Sequence, residues 1–123
     1  MEKPLENYGI TLAPPDHLDA PRIEAKLNSG EYEGAEAHAA TIRVKPGWRV
    51  LEIGAGLGYV TSICARAAGP ENVVSIEANP AMLEVIEANL VRNDLSGVTL
   101  LHGAVTAAGE SENGTFRARQ AFW

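Results

Sequence analysis

The chain has 123 residues, 46% of them hydrophobic and 21% charged, which suits one small domain with a single core and excludes a disordered chain. A formal net charge of −6, with ten scattered Lys and Arg residues, argues against a nucleic-acid partner, whose phosphates call for a basic surface. One cysteine, Cys64, excludes an internal disulfide framework and a cysteine-based zinc site, and no stretch approaches the roughly 18 apolar residues of a membrane span.

Residues 1–18 carry Pro4, Pro14 and Pro15 with little periodicity and read as an extended arm. Glu2 and Glu6 without an apolar core are not a signal peptide, so a reducing, cytoplasmic setting is expected. A first helix is expected from about Ala20 to Leu27, with Pro21 early in it and Gly30 past its end. Residues 32–43, rich in Ala and Glu, suit a second helix that ends before the Pro46-Gly47 turn. Trp48 to Ile53 reads as a buried strand, since Val50, Leu51 and Ile53 leave only Glu52 polar. From about Gly58 to Ala68 the spacing of Val60, Ile63, Cys64 and Ala67 predicts a helix with Cys64 buried on it, stopped by Gly69-Pro70. Val73 to Ile76 is a second strand. A longer helix follows to about Asn93, with Asn79 as its cap, Pro80 first, and Leu83, Ile86 and Leu90 on one face. Val98 to Leu101 is a third strand, and Thr115 to Arg119 a short further one. Asn113-Gly114-Thr115 fits the glycosylation pattern but reads more simply as a turn.

Alternating strands and helices imply right-handed crossovers and parallel strands. The fold class expected is α/β, a Rossmann-like doubly wound sheet with an N-terminal helical arm. Residues 1–46 form the arm and helices, and 47–123 the first half of the sheet domain. The first sheet strand is nearly all apolar, as a strand covered on both faces would be, yet no downstream segment supplies its other neighbour. The 123 residues therefore read as the front half of a larger domain, truncated after the third strand.

The chemistry lies in residues 50–58, Val-Leu-Glu-Ile-Gly-Ala-Gly-Leu-Gly, and in Glu77 at the end of the next strand. Alternating glycines let the backbone turn out of a strand and pass close to a bulky ligand, and the later carboxylate is placed for ribose hydroxyls. A phosphate-cradling loop would need a Gly-Lys-Ser/Thr ending, and residues 56–61 have no lysine. A dinucleotide site wants a third small residue one position later, where Tyr59 stands. An NAD(P)-dependent oxidoreductase and a non-catalytic, truncated binding fragment stay open as alternatives.

The pattern Glu-x-Gly-x-Gly-x-Gly followed by Glu77 resembles the first two motifs of class I S-adenosylmethionine-dependent methyltransferases. Several further segments are similar to the FkbM-type family of that class: Gly9-Ile10, Asp16-His17, Pro21-Arg22, Gly30-Glu31-Tyr32-Glu33, Glu36, Glu77-Ala78-Asn79-Pro80, Asn89 to Asn93 and Phe122-Trp123. The resemblance implies S-adenosylmethionine as cofactor and O-methylation of a small molecule or sugar. Gly54, Ala55, Gly56 and Gly58 would border its methionine portion, and Glu52 would help hold its ammonium end. Glu77 would take the ribose diol. Ala78 and Asn79 would flank the adenosine, and Gly103 and Ala104 the adenine, at a turn where many members of the class carry an acidic residue that this chain lacks. It also offers Glu33 and Glu36 as part of a cofactor lid, against the plainer reading of an exposed helix face. In the family the acceptor-binding and catalytic positions lie beyond Trp123, so no catalytic residue is assigned. His17, His38 and His102 lack ligand spacing, and no metal is expected. The partners expected are a small-molecule acceptor and a second copy through the open sheet edge, with neither nucleic acid nor membrane.

Overall fold

The N-terminal arm turns back on itself instead of staying extended. Strands β1 (Leu5–Asn7) and β2 (Ile10–Leu12) pair antiparallel across Tyr8-Gly9. Both turn residues have positive φ, 51° and 72°, the signature of a type I′ hairpin turn. The computed structural model describes residues 5–14 and 20–107. The ends of the arm, Asp16, His17, the segment expected as a strand at 115–119 and Phe122-Trp123 lie outside the described residues.

Helix α1 (Ala20–Ser29) ends at Gly30, whose N–H donates to the Leu27 carbonyl. Helix α2 (Gly34–Arg43) starts two residues later than the Ala/Glu pattern predicts, because Glu33 takes a left-handed φ of 44° and breaks the run. There follow β3 (Val50–Ile53), α3 (Tyr59–Ala68), a 3-10 turn at Pro70–Asn72, β4 (Val73–Glu77), α4 (Pro80–Arg92) and β5 (Thr99–His102). Asn79 caps α4, accepting from the Ala81 N–H at 3.1 Å, with Pro80 at the first helical position. The three later strands form one parallel sheet in the order β3-β4-β5, pairing Ile53 with Ile76 and Glu77 with His102.

Right-handed crossovers place α3 and α4 on the same side of this sheet. On that side Val73, Ser75 and Glu77 of β4 are buried, in register with Val50 and Glu52 of β3 and Leu100 of β5. The other side is bare among the described residues: Leu51 is 64%, Ile53 60% and Leu101 47% exposed. The expectation of a buried first strand is thus corrected, since only one of its faces carries helices. The core lies between sheet, helices and hairpin, with Ile10 and Leu12 joining Leu57, Ile63, Ile86 and Leu90.

Asn89 of α4 and Asn93, the cap at its C-terminal end, fasten the hairpin. Asn93 accepts from Thr11 N–H and donates to the Thr11 carbonyl, both at 2.8 Å, imitating a strand partner. Asn89, fully buried, accepts from Ala13 N–H at 2.9 Å and donates to the Leu57 carbonyl at 2.9 Å. One side chain thereby joins hairpin, helix and glycine loop. No helix among the described residues is long and apolar enough to cross a membrane.

Candidate functional site

Ligands in doubly wound sheets bind outside the carboxyl ends of the strands. Those ends bring together Glu52, Gly54, Ala55, Gly56 and Gly58 after β3, Glu77, Ala78 and Asn79 after β4, and Gly103 and Ala104 after β5. The Gly54 N–H donates to the Ile76 carbonyl at 2.8 Å and the Gly103 N–H to the Glu77 carbonyl at 3.0 Å, so three strand ends are tied in a row. His102 Nε2 lies 3.2 Å from the Ala78 carbonyl.

The loop from Gly54 to Gly58 owes its shape to glycine at two positions in particular. Gly58 caps α3 at φ 82°, and a Cβ there would come 3.2 Å from Ile86 Cγ2, so α3 and α4 approach closely only without a side chain. Gly56, at φ 57°, lies under the N-terminal segment: a Cβ there would meet the Tyr32 hydroxyl at 3.4 Å and Glu33 Oε1 at 3.8 Å. A Cβ on Gly54 would meet nothing within 4 Å, which leaves open space beside the loop.

Glu77, only 7% exposed, is held by backbone donors. Its Oε2 accepts from the Gly56 N–H at 2.9 Å and its Oε1 from the Asn79 N–H at 3.2 Å. Glu52 is turned toward the helices, where its Oε1 accepts from Ser75 Oγ at 2.6 Å and from Thr61 Oγ1. Burial raises its pKa, against the lowering effect of those two hydroxyls. Thr61 and Ser75 are fully buried and hold this carboxylate, a role with no sequence signal because nothing in their spacing marks a strand residue and a helix residue as neighbours.

The N-terminal segment supplies the remaining side chains. Tyr32 is buried, hydrogen-bonds the Leu57 backbone and stacks tilted on Tyr59 with ring centroids 5.9 Å apart. Burial, then the charges of Glu52, Glu36 and Glu77, push the Glu33 carboxyl up to about 7. Glu36 is exposed, so of the two candidate lid carboxylates only Glu33 faces the loop. Among the described residues, Glu33 Oε2 and the Tyr59 hydroxyl are the buried side-chain polar atoms without a hydrogen-bond partner.

This donor set fits a phosphate-free, positively charged nucleoside. The atoms converging on the loop are carboxylate oxygens, hydroxyls and backbone amides. Unpaired buried acceptors, together with the space beside Gly54, suit a ligand that brings its own N–H and O–H donors.

Comparison with known proteins agrees. The family model for protein-L-isoaspartate (D-aspartate) O-methyltransferase (PCMT) matches residues 27–114. A catechol O-methyltransferase from Mycobacterium tuberculosis is 39% identical over 82 residues, covering 66% of this chain and 35% of that protein. A protein-L-isoaspartate O-methyltransferase from Methanothrix thermoacetophila is 34% identical over 74 residues, 59% of this chain and 35% of that protein. The chain spans about a third of the length of these curated relatives. Among solved structures, M. jannaschii TYW2 in complex with AdoMet superposes with a TM-score of 0.54 at 24% identity, over 79% of this chain and 41% of that one. This last likeness shows the fold: Rossmann-like, with three parallel strands among the described residues. The family model that matches is PCMT, while the segments quoted above resemble the FkbM type. The chain belongs to the protein-L-isoaspartate (D-aspartate) O-methyltransferase family, within the class I methyltransferases.

Proposed function

We propose that this chain is the cofactor-binding part of an S-adenosylmethionine-dependent O-methyltransferase. The observation that carries the reading is Glu77, buried at the end of β4 and held between the Gly56 and Asn79 amides. A carboxylate fixed in that way can accept two hydrogen bonds from a ribose diol without first losing conformational freedom. The backbone of Gly54, Ala55, Gly56 and Gly58 would pass the methionine portion, with Glu52 behind it. Ala78, Asn79, Gly103 and Ala104 would border the adenosine. Bound there, the cofactor supplies a methyl group on a sulfonium, and the chain's part is to orient it for in-line displacement.

The relatives' names divide between an isoaspartate and a catechol acceptor, and both belong to O-methyltransferases. Oxygen is therefore the acceptor atom we propose, carried by a small molecule; the net charge of −6 disfavours a nucleic acid. The FkbM-type placement draws on segments outside residues 27–114, such as Gly9-Ile10, and leaves the same chemistry. A cytoplasmic setting belongs to the proposal, supported by the single buried thiol of Cys64.

Titration calorimetry tests the reading against its rival. S-adenosylhomocysteine is expected to bind while NAD does not, and the reverse result would make the site a dinucleotide site.

A further inference from the structure

Resting on the cofactor reading above, we infer that Glu33 is the receptor for the α-ammonium group of the cofactor's amino-acid tail. The observations are geometric. Glu33 Oε1 lies 3.8 Å from where a Cβ on Gly56 would stand, so the carboxylate leans over the glycine loop from the N-terminal side. Its neighbour Tyr32 is hydrogen-bonded to the Leu57 backbone, which fixes this segment to the loop. Glu33 Oε2 has no hydrogen-bond partner, and the Tyr59 hydroxyl, on a side chain with 0% exposure, has none either.

A buried carboxylate oxygen without a partner calls for a donor. A sulfonium has no N–H to give, whereas a primary ammonium has three, and this decides which cation of the cofactor belongs here. The other two carboxylates of the site already have donors: Glu52 Oε1 accepts from Ser75 and Thr61, and Glu77, proposed for the ribose, accepts from the Gly56 and Asn79 amides. Among the described residues, Glu33 is the carboxylate with a buried oxygen that has no partner. Its side chain as a whole is half-buried rather than sealed in the core.

The groups acting on Glu33 are the carboxylates of Glu52, Glu36 and Glu77, all of which oppose its ionisation. Tyr59, which feels the charge of Glu33, and Tyr32 adjoin it as neutral phenols. An arriving ammonium favours the ionised form, so binding between pH 6 and 7 expels a proton from Glu33.

The test is calorimetry on the full chain with two ligands: S-adenosylhomocysteine, and its desamino analogue, which lacks only the amine. Glu33→Gln is expected to weaken S-adenosylhomocysteine by about tenfold and leave the desamino analogue unchanged. The unmutated chain should release protons on binding the amine-bearing ligand near pH 6.5, measured in buffers of different ionisation enthalpy, and Glu33→Gln should not. Equal losses for both ligands, or no loss for either, overturn the assignment, as does proton release that survives the substitution. If the unmutated chain binds neither ligand, the cofactor reading itself fails, and this inference with it.

Discussion

Glu77 and Gly58 show how much of this site depends on single residues. Glu77 joins loop and strand ends by accepting from two backbone amides. Glu77→Ala is expected to weaken S-adenosylhomocysteine binding by about 1–3 kcal/mol, the scale of a hydrogen bond to a charged group. Unchanged affinity in calorimetry would remove the residue from the site. Gly58→Ala should act on the fold instead, because it combines a φ of 82° with a Cβ 3.2 Å from Ile86. A loss of about 1–3 kcal/mol in urea unfolding is expected, shared between backbone strain and overpacking. Glu33 should give the ligand-free protein a pH dependence. Its folded pKa, about 7, lies above the ordinary 4.5, so the protonated form is favoured by folding. Its contribution to stability is complete below about pH 4.5 and disappears as pH rises through 7. Burial shifts Glu52 in the same direction. Urea titrations across that interval should show stability falling with pH, and Glu33→Gln should flatten the fall.

At the scale of elements, α4 does the joining. Its apolar face enters the core through Met82, Ile86 and Leu90, while Asn93 at its end holds the backbone of β2 at Thr11 and Asn89 holds that of Ala13 just after the strand. Asn89 also donates to the Leu57 carbonyl, at the middle of the glycine loop. Asn89→Ala would leave the Ala13 backbone groups and the Leu57 carbonyl without their partner. An unfolding loss of about 2–4 kcal/mol is expected, several times that of an exposed substitution on the same helix. If urea denaturation returned less than about 0.5 kcal/mol, the surface-substitution range, the clamp would have no energetic weight. The hairpin depends on this clamp, since an isolated two-stranded ribbon is marginal in water.

Considered as a whole, the sheet is covered on one side only among the described residues. Leu51, Ile53 and Leu101 present an apolar face beside the edge of β3, which pairs with β4 alone among the described residues, and an edge of this kind invites pairing. The 123-residue chain is expected to self-associate at micromolar concentration, as measured by size-exclusion chromatography with light scattering. Ile53→Lys, on the bare face at 60% exposure, should shift it toward monomer at little cost in stability. A monodisperse monomer from the unmutated chain would show that this face is not adhesive.

Seven elements were legible in the residues themselves because each has its own local cause. The periodic apolar positions of α3 and α4, the Asn79-Pro80 cap, the stop at Gly69 and the apolar run of β3 depend on neighbours a few positions away. The glycine motif and Glu77 were legible for the same reason, since a strand–turn–helix with a carboxylate on the next strand is a short-range pattern. The hairpin was missed because Tyr-Gly lacks the usual Asn-Gly mark, and the bare face of β3 because one-sided and two-sided burial leave the same apolar run. Only the tertiary structure decided that Glu52 is held by Thr61 and Ser75, that Asn89 reaches Leu57, and that Glu33 rather than Glu36 turns to the loop. Each of those depends on which segments lie side by side once the chain is folded, and sequence spacing carries no record of that.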